Sequence, residues 1–124
     1  MLRACGKLLK PGCSMAFFTI HAAPRLSAAD RKRARRHGPR LVNARGDYAS
    51  MLRAAGFRRV VSVDVTREFQ SISARWMHAR ERHRDAVIAS VGEARYREIR
   101  RDSALMQRGI ELGLLRRSLF VATA

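Results

Sequence analysis

The sequence predicts an α/β fold of about three strands with accompanying helices, because three apolar segments rich in β-branched or aromatic residues alternate with helical ones. They are residues 14–22 (SMAFFTIHA), 57–65 (FRRVVSVDV) and 114–123 (LLRRSLFVAT). Each follows a glycine-containing break of the kind that ends a helix or turns the chain. The predicted order is therefore strand, helices, strand, a long helical segment and a last strand.

The first strand has an unusual position in the chain. Residues 2–10 can close a helix, which Pro11-Gly12 ends. Residues 14–22 show little polar alternation, which is typical of a strand buried on both faces of a parallel sheet. Such a strand needs neighbours on both sides, and few residues precede it. We therefore expect an incomplete fold. Its first strands are truncated from the gene, are missing because the gene start is assigned too far downstream, or lie on another chain.

Two helices are predicted between the first two strands. Ser27 and Asp30 have the spacing of a capping box at the start of a helix over residues 28–37. Asp47 is the predicted cap of a second helix, residues 47–55, whose apolar positions share one face at i, i+3, i+4 and i+7.

A longer helical segment covers residues 67–112, with apolar positions at helical spacing. Gly92 and the Asp102-Ser103 pair predict its division into two or three helices, because these residues are weak helix formers. Gly113 is the expected end of the last helix.

The charge of the chain suggests a polyanionic partner without establishing one. The 124 residues carry a formal net charge of +16, with 26 basic and 10 acidic residues. Only three of the basic residues are lysines, and an excess of arginine and alanine is also what GC-rich coding produces. The densest cluster lacks interleaved aromatic residues that would stack on bases. That cluster comprises Arg31, Lys32, Arg33, Arg35 and Arg36.

The remaining composition excludes several classes. Cys5 and Cys13 are the only cysteines, and no His/Cys cluster at metal-ligand spacing accompanies them, so no metal is expected. Neither a signal-peptide layout nor an apolar run of membrane-spanning length occurs. A cytoplasmic protein without a membrane partner is the expectation, with both thiols reduced, although a disulfide is the alternative.

Three sequence pieces together resemble one known family. "LKPG" (residues 9–12) followed by "FFTIH" (17–21) resembles the turn and fifth strand of class I S-adenosylmethionine-dependent methyltransferases. "DYASMLRAAGFRRVVSVDVT" (47–66) is similar to the next helix and the sixth strand. "GIELGLLRRSLFVATA" (109–124) is similar to the seventh strand, which is antiparallel beside strand six. The resemblance implies the C-terminal part of a Rossmann-like methyltransferase sheet.

This resemblance implies S-adenosylmethionine as cofactor and a small molecule as methyl acceptor. The family holds the cofactor with a glycine-rich loop after its first strand and an acidic residue at the end of its second. No G-x-G-x-G follows a strand in this chain, and Cys13 stands where the family turn usually has a second glycine. We therefore expect that the isolated chain does not bind the cofactor and is inactive.

Three residues are candidates for the substrate site. His21 ends the first strand, at the edge where open α/β sheets place ligands, and it is a candidate substrate-binding group or general base. The alternative is a histidine hydrogen-bonded to loop backbone. Tyr48 and Trp76 are candidate aromatic walls of a substrate pocket, and the alternative for both is a core position.

Three functional hypotheses follow. The first is part of a methyltransferase acting on a small molecule. The alternative is a basic, non-enzymatic module that binds nucleic acid or another polyanion through the cluster at residues 31–36, which charge alone supports weakly. The third is self-association through the unpaired edge of the first strand.

Overall fold

The structure, a computed structural model, describes residues 2–39 and 47–124. The segment 40–46, between the two helices predicted at residues 28–37 and 47–55, lies outside the described residues. The elements in chain order are α1 (Leu2–Leu8), β1 (Ser14–Ala22), α2 (Ala28–His37), α3 (Tyr48–Ala54), β2 (Val60–Asp64), α4 (Thr66–Arg82), α5 (Arg84–Val91), α6 (Glu93–Glu111) and β3 (Leu115–Thr123).

The three strands form one sheet in the order β1-β3-β2. The last strand, β3, is antiparallel to both neighbours, so β1 and β2 run parallel to each other on either side of it. Phe120 of β3 pairs with Phe17 of β1 and with Ser62 of β2. The predicted α/β fold of three strands with helices is confirmed.

The first strand differs from its prediction. Among the described residues, strand β1 lies at an edge of the sheet and pairs only with the antiparallel β3, and it has no fully buried residue. The Phe18 side chain is 55% exposed. The prediction of burial on both faces is wrong for this chain, because helices cover only one end of the face to which Phe18 belongs. Self-association through the outer edge of β1 stays a prediction.

Each face of the sheet has its own apolar core. Helices α1 and α3 cover the face of Phe120, where the buried residues are Leu52, Phe57, Phe120 and Ala122. On the opposite face, helices α2, α4 and α6 cover the end near Leu115. The buried residues there are Ala34, Phe69, Ile110, Leu114 and Leu115. Phe17 of β1 and Tyr48 at the start of α3 pack together on the face of Phe120.

The long helical segment contains three helices, which break at His83 and at Gly92. The break at Gly92 agrees with the prediction, and its φ of +85° is one that glycine adopts without strain. The predicted break at Asp102-Ser103 is wrong, since α6 continues through both residues. Local propensity costs only a few tenths of a kcal/mol there, roughly, and the buried positions of α6 outweigh it.

Two boundaries differ from prediction by a few residues. Asp47 caps α3 as predicted, so the helix itself begins at Tyr48, and it ends at Ala54 rather than at residue 55. Strand β2 begins at Val60 rather than at residue 57, because residues 55–57 form the turn that closes α3. Gly56 has a φ of +98°, and the Phe57 N–H donates to the Leu52 carbonyl at 3.1 Å, so residue 57 still closes the helix.

Asp64 joins the end of β2 to the start of α4. Its carboxylate accepts hydrogen bonds from the Thr66 N–H at 2.9 Å and from the Thr66 hydroxyl at 2.5 Å. Its other oxygen accepts from the Arg116 guanidinium at 2.5 Å. The Thr66 hydroxyl bond, then the backbone bond and Arg116, hold the pKa of Asp64 below its ordinary value.

We expect Asp64→Ala to lower the free energy of unfolding by about 1 kcal/mol at pH 7, the net contribution of partly solvated hydrogen bonds. Because the folded-state pKa is lowered, this contribution is present above the unfolded value of about 4 and is lost as pH falls through the folded value. Urea unfolding between pH 7 and pH 3 measures it. Asp85→Ala is the control, since the Asp85 side chain is 99% exposed; an equal loss in both variants would contradict the prediction.

Candidate functional site

A cavity of about 450 Å³ lies at the carboxyl end of β1. We call it the β1-end cavity. Its wall is formed by the end of β1 and the loop that follows, by the first residues of α3 and by the centre of the sheet. The lining residues are His21, Ala22, Ala23, Pro24, Arg25, Leu26, Arg31, Asp47, Tyr48, Ala49, Ser62 and Phe120. Open α/β sheets place ligands at this kind of edge.

His21 lines this cavity and has both ring nitrogens engaged. Nδ1 lies 2.9 Å from the Ala22 carbonyl oxygen, which can only accept, so Nδ1 carries the proton. Nε2 lies 2.9 Å from the Ser118 hydroxyl. In the neutral ring, Nε2 therefore accepts from Ser118, whose side chain is buried. The backbone bond matches the alternative interpretation of this histidine, while its place in the wall matches the functional one.

Four aromatic rings form one group beside the cavity. The Tyr48 ring centroid lies 5.5 Å from that of Phe120 and 6.2 Å from those of Phe17 and His21. Phe17 stacks on Phe120 at 5.6 Å. Of the four, His21, Tyr48 and Phe120 line the cavity. Such a wall suits an apolar or cationic part of a ligand.

Helix α3 holds Tyr48 in this wall. Asp47 begins the helix, because its carboxylate accepts from the Ser50 N–H at 2.7 Å and from the Ser50 hydroxyl at 2.8 Å. The Ser50 backbone bond is the main cause of the lowered pKa of Asp47, so this carboxyl is ionised at neutral pH. Leu52, fully buried against the sheet, anchors the same helix.

The third sequence candidate, Trp76, lies elsewhere. It is on α4, it is 52% exposed, and it is not among the residues that line the β1-end cavity. The structure thus brings His21 and Tyr48 together and leaves Trp76 apart. Trp76 does not occupy a core position either, since about half of its surface is exposed to solvent.

The basic cluster of residues 31–36 lies on α2, which Ser27 caps by accepting from the Asp30 N–H at 3.0 Å. Its five basic side chains are exposed, and the fully buried Ala34 anchors the helix. Arg33 is bound to Asp30 at 2.9 Å. Arg31 differs from the rest because it lines the β1-end cavity. Polyanion binding by this cluster stays a prediction.

Sequence reasoning missed several members of the site. Arg25, Asp47 and Phe120 line the cavity, and Ser118 bonds His21. Arg25 could have been found from the sequence, because it is a charged residue just beyond the end of the first strand. Phe120 and Ser118 had no such signal, because only pairing of β3 with β1 brings them to His21.

Other kinds of site have less support. Within residues 2–39 and 47–124, no three His, Cys, Asp or Glu side chains are grouped to hold a metal ion. Across the same residues no helix has the length and apolar character needed to cross a membrane. Cys5 and Cys13 are both free thiols.

Neither a protein-family model nor a curated protein sequence matches this chain. Solved structures do. A phosphoethanolamine N-methyltransferase 2 from Haemonchus contortus, in complex with phosphomonomethylethanolamine and S-adenosylhomocysteine, matches with a TM-score of 0.75 at 14% identity. The same enzyme with S-adenosyl-L-methionine matches at 0.73 and 13%. A protein assigned as a sarcosine dimethylglycine methyltransferase from Galdieria sulphuraria matches at 0.79 and 11%.

The chain has a methyltransferase-like fold. Each match covers 98% of this chain, but the chain spans only 29%, 28% and 45% of the lengths of the three matched chains, respectively. Identities this low establish the fold alone.

Proposed function

We propose that this chain is the C-terminal part of an S-adenosylmethionine-dependent methyltransferase that acts on a small molecule, with the β1-end cavity on the acceptor side. The observation that carries the proposal is the sheet itself. An antiparallel last strand lies between two parallel strands, in the order β1-β3-β2, and the whole arrangement matches methyltransferases with TM-scores of 0.73 to 0.79.

The residues of the cavity have distinct roles in this proposal. Tyr48 and Phe120 form the wall against which the acceptor lies, because positioning of the nucleophile against the methyl group supplies much of the catalysis. His21 has its proton on Nδ1, so its Nε2 is the basic atom and takes the acceptor proton once the Ser118 hydroxyl turns away.

The cofactor is assigned to the part of the enzyme that this chain lacks. S-adenosylmethionine is the cofactor of the proposed enzyme, and it supplies the methyl group. The described residues around the β1-end cavity include no glycine, so they offer no close backbone approach for a nucleoside cofactor. We therefore propose that the chain alone is inactive and that the acceptor side is what it contributes.

A chimera tests this proposal. Residues 1–124 replace the matching 45% of the Galdieria sulphuraria protein, and transfer of a labelled methyl group from S-adenosylmethionine to a panel of small molecules is measured. We expect transfer to at least one acceptor, and His21→Ala should lower kcat by about 100-fold or more if His21 is the base. His78→Ala, on the exposed surface of α4, is the control.

Two measurements keep the chimera interpretable. Cooperative unfolding shows that the chimera is folded, and calorimetric titration with S-adenosylmethionine shows that it holds the cofactor. The 124-residue chain, titrated in the same way, is expected to show no binding. A folded, cofactor-binding chimera that methylates nothing in the panel would contradict the proposed function. A fall in kcat with His78→Ala equal to that with His21→Ala would remove the role of His21.

A further inference from the structure

Two arginines in the wall of the β1-end cavity form no ion pair with any described residue. Arg25, in the loop after β1, and Arg31, in the first turns of α2, both line the cavity. In the part of the chain that the structure describes, neither guanidinium has a carboxylate within 4.0 Å. Arg33, on the same helix as Arg31, does have one in Asp30. Two arginines without a carboxylate partner among the described residues therefore belong to the wall of one cavity.

The backbone at Arg25 is also unusual. Its φ is +59°, and it is the only described residue other than glycine with a positive φ. This conformation costs a non-glycine residue about 1 kcal/mol or more, and glycine would adopt it freely. Within the described residues, the Arg25 side chain makes no hydrogen bond or ion pair that would offset this cost. Strain of this kind concentrates at ligand sites.

One acidic residue lines the same cavity as the two arginines. Asp47 is the single carboxylate among the described lining residues, and both of its oxygens are already bonded to Ser50. It limits where an anion can lie, since an anion close to Asp47 is repelled. Among the described lining residues, Arg25 and Arg31 are the cationic side chains without a carboxylate partner.

We propose that Arg25 and Arg31 bind an anionic group, a carboxylate or a phosphate, of the small molecule that enters the β1-end cavity. Guanidinium groups present paired donors that match the oxygens of both groups. The aromatic wall of Tyr48 and Phe120 then contacts the remainder of that molecule. The description of this molecule as a methyl acceptor rests on the proposed function; the anion site does not.

The test is an NMR titration of the 124-residue chain with inorganic phosphate and, separately, with acetate, at constant ionic strength set by sodium chloride. We expect saturable shifts of the backbone amides of Ala23, Arg25 and Tyr48 with at least one of the two anions. Arg31→Gln should weaken that binding at least fivefold. Arg35→Gln removes the same charge from the same helix outside the cavity and should leave it unchanged.

Arg25→Gly separates binding from folding. We expect it to keep or raise the unfolding temperature, because the strained φ is relieved, and yet to weaken anion binding at least fivefold. Arg25→Lys should restore part of the binding. Which of the two anions binds more tightly distinguishes a phosphate ligand from a carboxylate ligand.

Two results would overturn the inference. One is the absence of saturable shifts around the cavity with both anions. The other is an equal loss of binding in Arg31→Gln and Arg35→Gln, which would indicate a diffuse response to net charge. The chimera tests the proposed function separately. Anion binding without methyl transfer would support the anion site and contradict only the proposal that the chain is part of a methyltransferase.

Discussion

Replacement of Phe120 by alanine is expected to lower the free energy of unfolding by about 3–5 kcal/mol. Phe120 is 4% exposed, and its ring contacts those of Phe17 and Tyr48 between the sheet and helices α1 and α3. Its loss removes buried apolar contacts and leaves a cavity that the surrounding sheet and helices cannot fully close. Urea unfolding followed by circular dichroism measures the change.

Phe18→Ala is the matched control for this substitution. Phe18 is in the neighbouring strand, pairs with Leu119 and points to the opposite face, where it is 55% exposed. We expect a loss of less than about 1 kcal/mol, mainly the contact of its ring with the Arg117 guanidinium at 4.8 Å. Equal losses for the two phenylalanines would show that helices α1 and α3 do not cover the face that the structure assigns to them.

Replacement of Gly109 by alanine is expected to lower the free energy of unfolding by about 1–3 kcal/mol, the usual cost of overpacking. An added Cβ would lie 2.7 Å from the Cβ of His37 and 2.7 Å from Cδ1 of Leu115. Leu115 is fully buried and cannot move aside freely. This clash outweighs the gain of about 1 kcal/mol that alanine normally brings to a helix interior.

The same substitution at Gly6 should have the opposite sign. Gly6 also lies within a helix, α1, but among the described residues an added Cβ would meet only the ring of Phe57, at 3.6 Å, which is an ordinary contact. We expect Gly6→Ala to raise the free energy of unfolding by about 0.5–1 kcal/mol. Thermal unfolding of the two variants side by side decides the matter. A gain at both positions would mean that α2 and α6 do not approach at Gly109.

The elements were predictable because their signals are local. Ser27 and Asp47 cap α2 and α3 as the sequence predicts, and Gly113, with a φ of +70°, ends α6. Each of these signals depends on a side chain or a glycine acting within a few residues of itself. The failures were of another kind. The apolar composition of β1 did not reveal which face another element covers, and the Asp102-Ser103 pair did not break a helix that packing stabilises.

For the same reason, the sequence predicted only some of the residues that line the candidate site. His21 could be predicted as a candidate because strand ends in an α/β fold are ligand sites, whereas Tyr48 was a candidate only as an aromatic residue. Trp76 was chosen on residue type alone and lies outside the cavity. Arg25 and Arg31 line the same cavity because the loop after β1 and the start of α2 both border the end of that strand. Their common place in the cavity wall is a property of the fold, not of their spacing.

By itself, the sequence determined which segments are helices and strands, where most of them begin and end, and the methyltransferase-like character of their order. Only the tertiary structure decided that β3 lies between β1 and β2, that Ser118 bonds His21, and that two arginines line the same cavity. Caps, turns and periodicity act over a few residues, which the sequence displays directly. Strand pairing and cavity walls join residues nearly a hundred positions apart, as His21 and Ser118 are, and depend on which surfaces are buried together.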